Sequence, residues 1–230
     1  MAEYGAVFVT AAVPPSKILF ADANEVQSFQ DSVDKLKQLF DPYWIELQAK
    51  AMNALQSAVA HGAEIGASIT PRSADAGGRS YEDTLALWRR NVARGLEHWV
   101  DSGNLSAEQA EAIRSLSVTA QVETVLDLED SHQIFFSTYF DKSILYSVAA
   151  PGASQHLSLL AFDVAEFTDG TVETVMADNG WYRTVLSDLP HFTYLGHPQS
   201  LLPDLGLECV VRESDGQAYH FWIPRREDPR

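Results

Sequence analysis

Cysteine is almost absent from this chain of 230 residues, which contains only Cys209. A single thiol can form neither an internal disulfide nor a cysteine-based metal cage. Basic residues are also scarce, because 16 Lys and Arg stand against 32 Asp and Glu and leave a formal charge of -16. A field of that sign repels phosphate backbones and anionic lipid head groups, so we expect no nucleic-acid partner.

Long hydrophobic runs are missing as well. No stretch approaches the ~20 apolar residues that a membrane-spanning helix needs. The segment GAVFVTAAV near the start is too short for a span and lacks the basic flank of a secretory signal. We therefore expect no membrane span, and for an exported protein we expect the leader to have been removed already.

The N-terminal quarter of the chain predicts an arm followed by helices. Residues 1–23 contain several Pro and Ala and little periodicity, which is typical of an extended arm. Apolar residues then recur at helical spacing over 24–40. Asp41 and Pro42 fit the N-cap and first turn of a second helix, which we end at Gly62. The apolar face of that helix is predicted to be Ile45, Met52, Leu55 and Val59.

The remaining chain predicts a loop, two helices and then strands. AEIGASIT favours a buried strand, and the Gly- and Ser-containing residues 72–84 favour a loop. Helices are predicted after Ser80 and Ser106, each of which has the spacing of a capping box. Beyond residue 120, aromatic and β-branched content favours strands, with one helix near 171–179. The predicted strands are QIFFSTYF, ILYSVAA, LLAFDVAEF, HFTYLG, LECVVRE and YHFWIP.

This order of elements predicts the fold class. Helices come first and strands later, without βαβ alternation, which indicates an α+β fold with N-terminal helices packed on a small antiparallel sheet. The hydrophobic content of 46% is sufficient for one sizeable core. We therefore expect a single compact unit.

The segment PGASQHLSLLAFDV contains a candidate metal-binding pair. His156 stands seven residues before Asp163 in otherwise small and apolar surroundings. A catalytic zinc site needs about three ligands from His, Asp or Glu and an open position for water, so these two side chains can supply part of one. The alternative interpretation is a hydrogen-bonded histidine near the core and a carboxylate at a strand end.

The segment SDLPHFTYLG supplies a third ligand and a base. His191 would complete the ligand set, and Asp188 precedes it by three residues. Hydrolysis requires a carboxylate near the attacking water, because that water loses a proton and the leaving amine gains one. His220 is the competing third ligand, but Gln217 in the position of the base cannot accept a proton. We expect His220 to be a sheet residue whose ring finds a hydrogen bond.

These segments resemble the M15 family of zinc D-alanyl-D-alanine carboxypeptidases and dipeptidases (VanY- and VanX-like). The first family motif, S-x-H-x-x-G-x-A-x-D, is matched by Ser154, His156, Ala161 and Asp163. The second, E-x-x-H followed by an aromatic residue and an aliphatic-Gly pair, is matched by Asp188, His191, Phe192, Tyr194, Leu195 and Gly196. The arginine of the family's YRS loop resembles Arg72 in PRS or Arg79 in GRS.

The resemblance implies a zinc-dependent metallopeptidase that cleaves D-Ala-containing peptidoglycan peptides, as D,D-carboxypeptidases do. It implies an M15 or Hedgehog-like fold, with an arm and helical segment over 1–62 and a catalytic domain over 63–230. The expected location is the periplasm or the cell exterior, with the cytoplasm as the alternative, and the oligomeric state is left open. The alternative functions are a non-catalytic zinc-containing module that binds cell wall or protein, and a peptidoglycan endopeptidase.

The resemblance also assigns roles to individual residues. Asp188 would be the general base and then the acid, and Arg72, with Arg79 in reserve, would pair with a substrate oxygen. Ser154 would bind substrate or steady the ligand loop. Zn²⁺ would be held by His156, Asp163 and His191.

Two positions depart from the family pattern. Leu159 stands where the family has Gly, in the turn between the first two ligands. Asp188 stands where the family has Glu and is shorter by one methylene. Because proton transfer depends steeply on geometry, the second departure bears on catalysis more than on metal binding.

Overall fold

Helices and short antiparallel strands are mixed along the chain, so the predicted α+β class is confirmed. The computed structural model describes residues 2–214 and 216–225. The chain divides into two compact units, Met1–Ser80 with Gln155–Arg230 and Tyr81–Ser154. The boundary predicted at residue 62 lies inside a helix of the first unit. Within the described ranges, no helix is long and apolar enough to cross a membrane.

The first unit begins with a 3-10 helix, Ala2–Val9. Its side chains at Tyr4, Ala6 and Val7 are buried, so this stretch packs into the core rather than lying on the surface. The extended arm predicted for 1–23 is therefore wrong over these residues. The small apolar residues of this stretch show no helical periodicity in the sequence, although several of their side chains are buried.

A hairpin follows the first helix and was not expected. Helix α1 (Ala23–Ser32) is followed by strands β1 (Lys35–Phe40) and β2 (Tyr43–Gln48) and then by helix α2 (Ala49–Glu64). The helix predicted over 24–40 is right only as far as Ser32. Asp41 and Pro42 form the hairpin turn rather than a helix start, because Leu39 pairs with Trp44 across it. Of the predicted helical face, Met52 and Leu55 are buried on α2, whereas Ile45 lies in β2.

The second unit is helical throughout its regular structure. Helices α3 (Tyr81–Asp101), α4 (Ala107–Arg114) and α5 (Val118–His132) precede a 3-10 turn, Ile144–Tyr146. The two helices predicted after Ser80 and Ser106 are confirmed, and Ser106 with Gln109 forms the predicted capping box. The strands predicted for QIFFSTYF and ILYSVAA are wrong, since residues 133–150, all of them described, contain none. Their apolar side chains fill the helical core instead, as Ile134, Phe136 and Ile144 show.

The rest of the first unit contains the sheet that matters for the site. Strands β3 (Ala161–Asp163), β4 (Trp181–Tyr182) and β5 (His191–Tyr194) form an antiparallel sheet in the order β3-β5-β4, with helix α6 (Gly170–Asp178) between β3 and β4. Strands β6 (Leu207–Ser214) and β7 (Gln217–Pro224) form a hairpin. Four predicted strands and the helix near 171–179 are therefore confirmed. AEIGASIT forms no strand, and the residue after it, Pro71, forms an isolated bridge with Val164 just past the end of β3.

The core of the first unit lies on one face of this sheet. Helices α2 and α6 pack there against alternate strand residues, among them Phe162 and Phe192. Because side chains alternate across a strand, the neighbours of those phenylalanines point to the opposite face. Those neighbours include Asp163 and His191.

Candidate metal centre

Asp163 and His191 lie together because their strands pair. They are 28 residues apart in sequence but stand directly opposite each other in the antiparallel register of β3 and β5. Opposed residues project on the same face with Cβ atoms roughly 4.5–5.5 Å apart. The sheet therefore brings a carboxylate and an imidazole to the same place.

His156 reaches this place from a 3-10 helix, Gln155–Ser158, which precedes β3 in the chain. Between the helix and the strand, Leu159 has φ of 59°, in the left-handed region that glycine adopts without steric cost. Leu159 is nevertheless leucine, and its side chain is fully buried. The chain thus reverses at the position where the family motif has glycine.

We expect Leu159→Gly to be more stable than Leu159→Ala by about 1 kcal/mol. Both substitutions lose a buried side chain, which costs roughly 2–5 kcal/mol, but only glycine also removes the left-handed strain. At ordinary positions alanine is the more stable of the two. Denaturant unfolding of both variants measures the order, and alanine above glycine would contradict the assigned conformation.

The three predicted ligands converge on one point. His156 Nε2 lies 3.1 Å from His191 Nδ1. Each of these nitrogens lies 3.3 Å from Asp163 Oδ1. Both imidazoles are buried and the carboxylate is nearly so. Within the described ranges these residues form a group of the kind that can hold a metal ion.

Hydrogen bonds on the far sides of both rings fix where their protons lie. His156 Nδ1 is 2.6 Å from the carbonyl oxygen of Gly77, so this nitrogen must donate. His191 Nε2 is 2.8 Å from Gln155 Oε1 and donates likewise. Burial lowers the pKa of His156 to about 4, against the attraction of Asp163, so at neutral pH its ring carries no second proton. When both rings are neutral, two nitrogen lone pairs and a carboxylate oxygen face one another, an arrangement that a cation stabilises.

Arg79 holds the carboxylate in place. Its Nη2 donates to Asp163 Oδ2 at 2.6 Å, which leaves Oδ1 for the two imidazoles, and its Nε donates to the carbonyl of Asp75 at 2.8 Å. A guanidinium at this distance stabilises the charged form of its carboxylate partner. Asp163 is therefore ionised, and Arg79 is occupied as its partner.

Arg72 differs from Arg79 in that its guanidinium is exposed. Its backbone N–H donates to the carbonyl of Asp163 at 3.0 Å, which places it beside the ligand strand. Its guanidinium lies 5.2 Å from the centre of the Phe167 ring and is exposed. In residues 2–214 and 216–225 no hydrogen bond or ion pair engages that guanidinium. Of the two predicted arginines, Arg72 is thus the one whose charge is available to a bound molecule.

The loop that carries these arginines lies tightly against β2. Gly78 N–H donates to the carbonyl of Glu46 at 2.9 Å. A Cβ atom placed on Gly77 would come within 2.6 Å of Ile45 Cγ2, and one on Gly78 would overlap Leu159. Only glycine allows this close approach, which brings the Gly77 carbonyl to the ring of the first ligand.

Asp188 lies on the loop between β4 and β5. Its carboxylate makes no hydrogen bond or ion pair within the described part of the chain. The side chain is accessible to solvent, yet surrounding protein removes enough of its hydration to raise its pKa. The nearby carboxylate of Asp163 reinforces that rise, whereas the guanidinium groups of Arg79 and Arg72 oppose it.

Comparison with known proteins identifies no relative. No family model, curated protein or solved structure matches this chain. The family resemblance therefore stays a prediction carried by the motif residues, and functional arguments rest on the geometry of the site.

The structure also places the other candidates and adds one. His220 is exposed on β7, and both its backbone N–H and its Nδ1 contact Glu173 Oε1, at 3.0 and 3.1 Å, so the prediction of a hydrogen-bonded sheet residue is confirmed. Ser154 is the last residue of the second unit and is buried. Sequence reasoning missed Gln155, whose only signal was its position next to His156.

Proposed function

We propose that this chain is a zinc-dependent metallopeptidase of M15 or Hedgehog-like fold that cleaves D-Ala-containing peptidoglycan peptides as a D,D-carboxypeptidase does. It would act in the periplasm or outside the cell. The observation that carries the proposal is the convergence of His156 Nε2, His191 Nδ1 and Asp163 Oδ1, which lie 3.1–3.3 Å apart. The motif resemblance supplies the substrate class.

The donor set suits zinc. Two imidazole nitrogens and one carboxylate oxygen match the ligands of catalytic zinc sites, which keep a fourth position open. Tetrahedral ligands at ~2.0–2.2 Å from an ion stand about 3.3–3.6 Å apart, close to the separations found here. Zinc in such a site polarises a carbonyl and makes water a better nucleophile.

The residues around the three ligands would have separate roles in proton transfer, substrate binding and ligand orientation. Asp188 has a free carboxylate and a raised pKa, which suit a group that takes a proton from water and returns it to the leaving amine. Arg72 offers an exposed guanidinium to the terminal carboxylate of a peptide or to the carbonyl oxygen where negative charge grows. Arg79 keeps Asp163 ionised and oriented.

We expect Asp188→Asn to lower hydrolysis of a D-Ala-D-Ala peptide by about 10²–10⁴-fold, because the proton acceptor is lost. Its zinc content, measured by metal analysis, should stay at the wild-type level. Asp178→Asn, which changes another exposed aspartate of the same unit, should leave both quantities unchanged. Wild-type turnover in the Asp188→Asn variant would remove Asp188 from the mechanism.

A second candidate is a non-catalytic zinc-containing module that binds cell-wall peptide or another protein. It is favoured by the absence of a hydrogen bond or ion pair between the Asp188 carboxylate and a ligand residue in the described chain, together with its short side chain. For such a module the wild type should bind zinc without hydrolysis, and Asp188→Glu should gain activity. A peptidoglycan endopeptidase would instead release cross-link fragments rather than free D-Ala, which product analysis distinguishes.

A further inference from the structure

We infer that Gln155 is a positioning residue that determines which nitrogen of His191 faces the metal centre, and that the N-terminal 3-10 helix fixes Gln155 in turn. The inference rests on the proposed function for its metal-binding consequence. The proton position that it assigns can be measured without metal.

The orientation of the Gln155 amide follows from its neighbours. Gln155 Nε2 is 3.2 Å from the carbonyl oxygen of Tyr4, which can only accept a hydrogen bond. The amide nitrogen must therefore point to the 3-10 helix Ala2–Val9, and the amide oxygen to the opposite side. There the oxygen accepts from the Thr193 hydroxyl at 2.6 Å, and the Thr184 hydroxyl lies 2.7 Å from Thr193 Oγ1 and can donate to it.

The proton on His191 follows from that orientation. Gln155 Oε1 carries no hydrogen, so His191 Nε2 at 2.8 Å must be the donor. A neutral imidazole with a proton on Nε2 has a bare Nδ1, and Nδ1 is the atom that faces His156 and Asp163. All of Gln155, Thr184 and Thr193 are buried, so water does not compete for these bonds.

The two imidazoles are fixed in different ways. The proton of His156 is set by a backbone carbonyl, that of Gly77, whereas the proton of His191 is set by a side chain. Partners of this kind orient metal-binding histidines, and losing one typically costs 10–100-fold in metal affinity. Without Gln155, a proton on His191 Nδ1 would find Asp163 Oδ1 at 3.3 Å and block the ligand position.

The test measures the proton position by ¹⁵N NMR of the imidazoles in metal-free protein. Wild type should show His191 protonated at Nε2. Gln155→Met should move the proton to Nδ1 in a substantial fraction of molecules and lower zinc affinity by about 10–100-fold. Gln155→Glu keeps an acceptor and should retain the wild-type proton position. Gln155→Asn, one methylene too short, should repeat the effect of Met with a smaller change in packing.

A matched control separates this effect from a general loss of buried hydrogen bonds. Gln121 is buried in the second unit and accepts from Trp88 Nε1 at 3.1 Å, so Gln121→Met loses comparable bonds. It should leave the His191 proton on Nε2. A Gln155→Met protein with the wild-type proton position and zinc affinity would overturn the inference. A proton shift in a protein that binds no zinc would support it and overturn the proposed function instead.

Discussion

Replacing His156 with alanine should abolish tight zinc binding and peptide hydrolysis together. Structural zinc sites have four protein ligands and bind the metal with roughly 10–16 kcal/mol, so each ligand accounts for about 2.5–4 kcal/mol. Losing one would weaken binding by about 10²–10³-fold. Metal analysis after dialysis against a mild chelator should find zinc in the wild type and almost none in the variant.

His220→Ala is the matched control for that experiment. His220 was the competing ligand in the sequence, but it is exposed on β7 and contacts Glu173. Its loss should leave zinc content and turnover unchanged. A His156→Ala protein that keeps stoichiometric zinc and full activity would refute the assigned ligand set.

Arg183→Met should lower the free energy of unfolding by about 3–5 kcal/mol. The Arg183 side chain is fully buried, and its Nη1 lies 2.6 Å from Glu173 Oε2, an ion pair by distance although not aligned as a hydrogen bond. Burial lowers the pKa of Arg183, but Glu173 favours the charged form. Among the residues that the structure describes, removing the cation leaves Glu173 with only His220 as a partner, and a partly buried carboxylate without its main counter-ion is costly.

The same substitution should also slow catalysis, because Arg183 Nε donates to the carbonyl of Leu189 at 2.8 Å, next to Asp188. Denaturant unfolding and peptide turnover measure the two effects. Arg212→Met is the control, since Arg212 also donates to a carbonyl of this loop, that of Leu186 at 3.1 Å, but from an exposed position. It should cost at most about 1 kcal/mol. Equal losses in both variants would show that burial and ion pairing are not the cause.

The sequence predicted the ligand residues better than the elements that carry them. His156, Asp163 and His191 are metal-ligand types within fixed motifs, so their chemistry is visible without a fold. The aromatic and β-branched content of both segments favoured strands, but their convergence depends on the pairing of β3 with β5, which composition does not specify. The division between Arg72 and Arg79 was not visible, because it depends on which guanidinium reaches Asp163 Oδ2.

The main errors in the predicted fold have physical causes. Leu36, Leu39 and Phe40 satisfy helical spacing, yet residues 35–40 pair with β2 because a cross-strand partner is available. Phe136 and Ile144 have strand-like composition but are buried among helices, since such content reports burial as well as strand geometry. Gln155 could not be recognised as part of the site, because its role depends on Tyr4, 151 residues away in sequence.

Gly77 and Gly78 lie in the loop that carries the two arginines, and because this loop is in close contact with β2, we expect these glycines to be the residues of the site least tolerant of substitution. A methyl group at Gly77 would meet Ile45 Cγ2 and one at Gly78 would meet Leu159 Cδ2, so either the loop or a buried side chain would have to move. Lifting the loop would withdraw the carbonyl from His156 and the guanidinium of Arg79 from Asp163 in one movement. We therefore expect side-chain size, rather than polarity, to limit substitution at these two positions. Gly77→Ala and Gly78→Ala add no charge and remove no hydrogen-bond donor, yet each would loosen both His156 and Asp163.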